Sequence, residues 1–128
     1  MGGKIRRTKS ILVIDDDLIM LQLMKDALEP EGYDVTLAAD GVAGVALLRE
    51  TDPDMVLLDI MMPGTDGLEI LNSVRQHYEI PVIMLTAKRD VGTLRDALIH
   101  GADDYIRKPF NKLELIARIK AKLGHIYL

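Results

Sequence analysis

Cysteine and tryptophan are absent from this 128-residue chain, which contains only one phenylalanine and four tyrosines. The lack of cysteine excludes disulfide bonds, thiolate catalysis and cysteine-based zinc sites. The shortage of aromatic side chains leaves few groups on which nucleic-acid bases could stack. No apolar run approaches the roughly 20 residues that a membrane span needs. The start of the chain is basic and polar, and the apolar run after it is cut short by three aspartates, so we predict no secretory signal and expect a cytoplasmic protein.

The charge of the chain also argues against nucleic-acid binding. The net charge is −4, which disfavours a domain that holds phosphates. The basic residues Lys4, Arg6, Arg7 and Lys9 lie near the start, and we interpret residues 1–9 as a flexible basic tail. Residues 10–128 have the length of one domain, and the apolar content of 48% is ordinary for a globular protein. We therefore expect one folded domain that binds neither nucleic acid nor a membrane by itself.

Short apolar runs alternate with helical patterns along the chain. Apolar runs without polar alternation are typical of strands buried on both faces of a parallel sheet. Between them, apolar residues recur at helical spacing, and proline or glycine ends the patterns. The predicted strands are 11–14, 33–38, 55–58, 81–86 and 104–107, and the helices are 18–28, 41–51, 68–78, 90–100 and 112–123. This alternation predicts an α/β fold with a parallel sheet covered on both faces.

Several polar side chains stand where the predicted strands end. Asp15 and Asp16 follow the first strand, Asp59 ends the third, Thr86 ends the fourth and Lys108 follows the fifth. Parallel strands present their carboxyl ends at one edge, so these residues are predicted to converge there. At about 4 Å and an effective dielectric of about 20, each pair of carboxylates costs on the order of 4 kcal/mol. A hard divalent cation such as Mg²⁺, or Lys108, would relieve that repulsion.

Each of these residues also has a simpler interpretation. Asp59 could accept backbone N–H bonds at a strand end, Thr86 could merely end its strand, and Lys108 could be a surface charge. Asp17 is interpreted as the cap of the helix that follows it rather than as a ligand. A shared site is favoured because all the residues at the strand ends are predicted to lie at the same edge of the sheet.

Four stretches together carry a family resemblance. They are ILVIDDD at 11–17, LLDIMMPGTDG at 57–67, VIMLTA at 82–87 and GADDYIRKPF at 101–110. As a set they resemble the receiver domains of response regulators, the phosphoryl-accepting part of two-component signalling. The resemblance extends over about Ser10 to Leu123 and implies a flavodoxin-like (βα)5 three-layer sandwich, with a five-stranded parallel sheet in the order 2-1-3-4-5.

The resemblance also implies the chemistry of the site. Asp59 matches the aspartate that accepts a phosphoryl group from a sensor histidine kinase and forms an acyl phosphate. Asp16 and Asp59 match side-chain ligands of Mg²⁺, with the backbone carbonyl of Met61 beside them, and Asp15 matches a carboxylate that acts through a bound water. Lys108 matches the lysine that pairs with the phosphoryl group. The implied protein is a signalling switch, and it catalyses only its own phosphorylation and dephosphorylation.

Two further residues match those that respond to the phosphoryl group in this family. Thr86 matches the hydroxyl that hydrogen-bonds a phosphoryl oxygen, and Tyr105 matches the switch aromatic that turns inward with it; as a simpler alternative, Tyr105 is a half-buried sheet tyrosine. The readout surface would be the fourth helix, fifth strand and last helix, facing an output domain or a separate effector. The Lys108–Pro109 peptide is a candidate for the cis isomer.

Two positions bear on how long the phosphoryl group persists. By the resemblance, the residues two after the phosphoacceptor and two after the threonine influence hydrolysis, and here they are Met61 and Lys88. The apolar Met61 cannot orient an attacking water. We therefore predict a longer-lived phosphorylated state than in relatives with a polar residue there.

Charges on the predicted readout surface suit a symmetric homodimer. Asp104, Glu114 and Arg118 offer such charges, as in receivers attached to winged-helix DNA-binding domains. Leu94 and His100 depart from that pattern, because such relatives tend to carry charged pairing residues at these positions.

Two other function classes are compatible with the same alternation of strands and helices. One is an aspartate-nucleophile phosphohydrolase, since Asp15-x-Asp17 after a buried strand resembles the opening motif of that family. It would need Asp15 as nucleophile and a cap over the substrate, for which 128 residues leave little room. The other is a flavin-binding module, which the few aromatics and the acidic edge disfavour.

Overall fold

The computed structural model describes residues 8–87 and 91–124. Five longer strands alternate with five α-helices in this part of the chain. They are β1 Ser10–Ile14, α1 Leu18–Leu28, β2 Asp34–Ala38, α2 Gly41–Thr51, β3 Met55–Asp59, α3 Gly67–His77, β4 Val82–Thr86, α4 Val91–Ile99, β5 Asp104–Arg107 and α5 Lys112–Leu123. A one-turn 3-10 helix, Glu29–Glu31, follows α1. Among the residues described, no helix has both the length and the apolar character needed to cross a membrane.

The five strands form one parallel sheet. Strand β1 pairs with β2 and β3, β3 pairs with β4, and β4 pairs with β5. The order is therefore β2-β1-β3-β4-β5, which confirms the predicted flavodoxin-like fold. Two strands of two residues each, Met61–Met62 and Thr65–Asp66, form a separate antiparallel hairpin between β3 and α3 that the sequence did not predict.

The sheet is covered by helices on both faces, as the continuous apolar strands require. Side chains alternate between the faces along each strand. One face packs against α2, α3 and α4, with a core that includes Leu12, Ile14, Leu48, Val56, Leu58, Leu71, Val74, Met84 and Ala97. The other packs against α1 and α5, with a core that includes Ile11, Val13, Met24, Met55, Leu57, Ile83, Leu85, Ile116 and Ile119.

Three helices begin at capping side chains, and one of these, Asp17, is the cap that the sequence predicted. The Asp17 side chain accepts from the N–H groups of Ile19 and Met20 at the start of α1. Asp66 caps α3 and Asn111 caps α5 in the same way. Each cap satisfies backbone donors that a helix leaves without partners, which fixes where the chain turns from the sheet edge into the helix.

Three apolar residues at the starts of α1, α2 and α5 are exposed. Leu18, Val42 and Leu113 expose 69%, 85% and 78% of their surface. Each lies in the first turn of its helix. Helical spacing thus predicted the helices correctly, but an apolar residue at that spacing is not always part of the buried face.

Arg75 joins three segments at the amino end of β4. Its guanidinium group donates from Nε to the Gly101 carbonyl at 2.9 Å, from Nη1 to the Ile80 carbonyl at 2.7 Å, and from Nη2 to Asp103 Oδ2 at 2.7 Å. The same Asp103 oxygen accepts from the Val82 N–H at 2.8 Å. We call Arg75 and Asp103, with these backbone partners, the arginine clasp. It holds the end of α3 and the starts of β4 and β5 at fixed positions.

Candidate functional site

The polar residues predicted to converge lie together at the carboxyl edge of the sheet. Ile14 and Leu58 are partners in the β1–β3 register, so Asp15 and Asp59, one residue further on each strand, end side by side. Asp15 is completely buried, and Asp59 and Thr86 are 5% and 2% exposed. Asp16, by contrast, faces solvent. The edge therefore combines two buried carboxyl groups with one that is open to the surroundings.

Lys108 reaches both buried carboxyl groups. Its Nζ atom lies 2.8 Å from Asp15 Oδ2 and 3.4 Å from Asp59 Oδ2. One carboxylate oxygen from each of Asp15, Asp16 and Asp59 lies within 4.8 Å of the others. We call these three aspartates and Lys108 the carboxylate cluster. Its four side chains come from the ends of three strands that are up to 93 residues apart in the chain.

Backbone N–H groups hold the second oxygen of each buried carboxyl group. Asp15 Oδ1 accepts from the Asp17 N–H at 3.0 Å, and Asp59 Oδ1 accepts from the Met61 N–H at 3.1 Å. Each buried carboxyl group is thus fixed between a backbone amide and the ammonium group of Lys108.

The position of Asp59 shifts its protonation equilibrium. Burial raises the pKa of the Asp59 carboxyl group from 3.8 to about 6, against the opposing effects of the Met61 N–H and the Lys108 charge, while Asp15 raises it further. Burial lowers the pKa of the Lys108 ammonium group, but its hydrogen bond to Asp15 and the charges of Asp59 and Asp15 outweigh that effect and raise the pKa overall. At neutral pH Asp59 is therefore mostly ionised and Lys108 is protonated.

The cluster has the composition of a cation site. Three carboxyl groups face one ammonium group, so negative charge is in excess. Each aspartate offers a carboxylate oxygen as a possible metal ligand. Hard divalent cations prefer such donors. The exposed Asp16 provides an open side from which an ion can enter, whereas Asp15 and Asp59 form the floor.

The turn after Asp59 is tightly packed. The hairpin pairs Met61 with Asp66, which returns the chain to the start of α3. A Cβ atom on Gly67 would lie 2.8 Å from the Ile60 carbonyl oxygen, so only glycine fits at this first residue of α3. Met61 is anchored through its N–H on Asp59, yet 53% of its surface is exposed.

Thr86 and Tyr105, the predicted relay residues, lie on neighbouring strands. The Thr86 carbonyl accepts from the Lys108 N–H at 2.6 Å. Tyr105 is a partner of Met84 in the β4–β5 register and packs, half-buried, against the core on the side of α2, α3 and α4. Since side chains two apart on a strand face the same side, Thr86 faces the side of Met84 and Tyr105. The Lys108–Pro109 peptide is cis, as the resemblance implied.

The charges that would suit a dimer pair with each other within the chain. Arg118 Nη1 lies 2.9 Å from Asp104 Oδ1, and Arg118 Nε lies 3.4 Å from Glu114 Oε2. His100 bonds through Nδ1 to the Asp96 carbonyl oxygen of its own helix. Lys88 and the side chain of Leu94 lie outside the described residues.

Comparisons of sequence and of structure both match this chain to receiver domains of response regulators. The sequence model of the family described as "Response regulator receiver domain" matches residues 11–120. A CheY-like receiver domain protein from Methanospirillum hungatei is 36% identical with a TM-score of 0.87, over 91% of this chain and 94% of that one. The receiver domain of NtrX from Brucella abortus is 34% identical with a TM-score of 0.83, over 88% and 97%. A longer NtrX structure from that organism matches over 27% of its own length, with 33% identity, 91% of this chain and a TM-score of 0.85.

Proposed function

Because this chain belongs to the response regulator receiver domain family, we propose that it is a phosphorylation-dependent switch in which Asp59 accepts a phosphoryl group from a sensor histidine kinase. The observation that carries the proposal is the setting of Asp59. Its carboxylate is buried at the edge of the sheet, fixed by the Met61 N–H, and 3.4 Å from the ammonium group of Lys108. We assign this function to residues 10–128, with residues 1–9 as a tail.

In the proposed reaction, an oxygen of Asp59 attacks the phosphorus of a phosphohistidine. The new O–P bond gives an acyl phosphate, the P–N bond breaks, and its electron pair stays on the imidazole nitrogen. The attacking carboxylate must be unprotonated, which a pKa of about 6 allows at neutral pH. The Met61 N–H holds one carboxylate oxygen in place throughout, so that little reorientation is needed before attack.

Asp15, Asp16, Asp59 and the Met61 carbonyl would hold the Mg²⁺ ion. When bound, Mg²⁺ neutralises the excess negative charge and stabilises the oxygens of the transferring phosphoryl group. The donor set fits this assignment, since one oxygen from each of the three aspartates lies within 4.8 Å of the others. Lys108 offers the remaining positive charge, and after transfer its ammonium group pairs with the phosphoryl oxygens.

Thr86 and Tyr105 relay the change to the surface of α4, β5 and α5. The Thr86 hydroxyl hydrogen-bonds a phosphoryl oxygen, which frees space on the side of the sheet that Tyr105 shares. The phosphoryl group must interact better with the inward state of Tyr105 than with the outward one, because a ligand shifts an equilibrium only by its difference in affinity. An output domain, a separate effector or a second copy of the chain reads this surface.

The switch also controls its own lifetime. Water attacks the acyl phosphate without a separate enzyme, and the residues at positions 61 and 88 set the rate. Met61 offers no group that would orient this water, so the phosphorylated state is long-lived. The protein is therefore a signalling domain whose only reactions are its own phosphorylation and dephosphorylation.

The direct test uses acetyl phosphate as a small phosphodonor together with Mg²⁺, followed by intact mass. We expect wild type to gain one phosphoryl group and Asp59→Asn to gain none. Asp26→Asn, a change to an exposed carboxylate in α1 outside the cluster, serves as the matched control and should react like wild type. A mass gain that survives in Asp59→Asn would refute the proposal, and if it were then lost in Asp15→Asn it would favour the phosphohydrolase class.

A further inference from the structure

Met61 combines high exposure with direct attachment to the phosphoacceptor. Its residue surface is 53% exposed, while its N–H donates to Asp59 Oδ1 at 3.1 Å. We propose that Met61 is a site of reversible oxidation, and that its sulfoxide shortens the lifetime of the phosphoryl group on Asp59. The effect on lifetime rests on the proposed function, whereas the site of oxidation does not.

The other methionines of the described residues are shielded. Met20 is half-buried against the core beneath α1. The remaining four are buried, with exposures between 0% and 6%, at Met24, Met55, Met62 and Met84. Oxidants in solution reach an exposed thioether first. Met61 should therefore react before the others, although its neighbour Met62 lies in the same hairpin.

The chemistry needs only a two-electron oxidant of the peroxide or hypohalous acid class. A lone pair of the Met61 sulfur attacks one peroxide oxygen and the O–O bond breaks. The sulfur keeps that oxygen and is oxidised by two electrons, while the peroxide is reduced to water. The absence of cysteine leaves no thiol to consume the oxidant first. Methionine sulfoxide reductases reverse the change.

The expected effect of Met61 oxidation on hydrolysis follows from the position of the Met61 side chain next to Asp59. The Met61 Cα is one bond from the amide that holds Asp59, so the side chain begins beside the acceptor oxygen. A thioether there is apolar and does not hold water, whereas a sulfoxide oxygen is a strong hydrogen-bond acceptor. A water hydrogen-bonded to the sulfoxide can be held near the phosphorus. One added hydrogen bond in the transition state corresponds to a roughly two- to tenfold faster hydrolysis.

The first experiment maps oxidation on the unphosphorylated protein. Wild type is treated with a limiting amount of hydrogen peroxide, and peptide mass mapping assigns the added oxygen to each methionine. We expect oxidation at Met61 before Met20 or any buried methionine, and a protein with Met20→Leu should show the same preference for Met61. Equal or earlier oxidation of Met24, Met55, Met62 or Met84 would overturn the assignment.

The second experiment measures decay of the acyl phosphate after excess donor is removed. In oxidised wild type we expect a half-life roughly two- to tenfold shorter than in the reduced protein, and recovery after treatment with methionine sulfoxide reductase. In Met61→Leu, oxidant treatment should leave the half-life as it was before treatment. Met61→Asn should decay faster than wild type without any oxidant. An unchanged half-life on selective Met61 oxidation would refute the regulatory effect.

The two proposals can fail separately. If the reduced protein takes up no phosphoryl group at Asp59, the proposed function fails, while the mapping still decides whether Met61 is the oxidation site. If phosphorylation occurs but Met20 or a buried methionine is oxidised before Met61, only the inference about Met61 fails.

Discussion

The two ends of the parallel sheet each hold a cluster of charged side chains, but the balance of charge differs. At the amino end, the arginine clasp joins one guanidinium group to one carboxylate, and backbone carbonyls accept its other N–H groups. At the carboxyl end, three carboxyl groups share one ammonium group. The first cluster is complete as it stands and holds segments together. The second has an excess of negative charge, which a cation or a change of partner can relieve.

This contrast teaches that a cluster of ionic side chains at the end of a sheet does not by itself indicate function. The carboxylate cluster differs from the arginine clasp in two ways. The positive charge of Lys108 compensates only part of the negative charge of the three aspartates, and the exposed Asp16 leaves one side open. A cluster whose donors and acceptors are all matched resists change, whereas one with excess negative charge can take up a cation. Substitutions at the two ends test the difference, beginning with the largest expected effect on stability.

Arg75→Ala should destabilise the fold more than a substitution in the carboxylate cluster or on the surface. It leaves Asp103 and the Gly101 and Ile80 carbonyls without their charged donor, and we expect a loss of about 2 to 4 kcal/mol in the free energy of unfolding. Urea denaturation measures this loss. The folded variant should still take up one phosphoryl group, because the clasp lies at the opposite end of the sheet.

The matched control is Arg49→Ala, which removes an exposed arginine from α2. We expect a change within about 0.5 kcal/mol there. A loss in Arg75→Ala no greater than in Arg49→Ala would contradict the role of the clasp.

Asp59→Asn should stabilise the protein at neutral pH when no divalent ion is present. The folded pKa of Asp59 is raised from 3.8 to about 6, so the folded state holds its proton more tightly than the unfolded state. Wild type therefore loses stability as the pH rises through this window, whereas asparagine does not. The expected gain is about 2 to 3 kcal/mol at about pH 8, falling towards zero below about pH 4.

Thermal denaturation across this pH range, in a chelating buffer, measures the effect. Asp26→Asn, on the surface of α1, should show no comparable pH-dependent gain. If Asp59→Asn were less stable than wild type at about pH 8, the account of burial and excess charge at this end would be wrong.

Apart from the surface controls, Arg118→Ala should have the smallest effect on stability. Its partners Asp104 and Glu114 are partly exposed, and the Arg118 side chain itself is 39% exposed. Such pairs contribute less than about 1 kcal/mol. Arg75 is 22% exposed and donates to two backbone carbonyls at 2.9 and 2.7 Å, whereas Arg118 reaches one, that of Tyr105, only at 3.4 Å. The comparison therefore separates a structural arginine from a surface one. A loss as large as that of Arg75→Ala would remove this distinction.

Much of the fold was predictable because it depends on the local pattern of apolar residues. The position of the site was predictable because parallel strands end at the same edge of a sheet. The apolar runs located the strands, apolar residues at helical spacing located the helices, and Asp17 was correctly interpreted as the cap of the first helix. The convergence of Asp15, Asp59 and Lys108 followed from the shared edge of parallel strands, and the structure places the lysine within hydrogen-bonding distance of both carboxyl groups.

What the sequence could not provide depends on contacts between distant segments. Arg75 binds residues 26 and 28 positions away, and nothing in the pattern of α3 indicates this. Nor does the sequence show that Asp104 in β5 pairs with Arg118 in α5. The exposure of Met61 relative to its neighbour Met62 also depends on the hairpin, which the sequence did not predict.

The central claim is that three aspartates from two strand ends act together on one cation. Calorimetric titration with Mg²⁺ tests it most directly, using wild type, Asp16→Asn and, as a control on the surface of α2, Glu50→Gln. We expect one ion to bind wild type and Glu50→Gln with equal affinity, and Asp16→Asn to bind it roughly tenfold or more weakly. Wild type that binds no Mg²⁺, or an Asp16→Asn variant that binds it as tightly as wild type, would contradict the account.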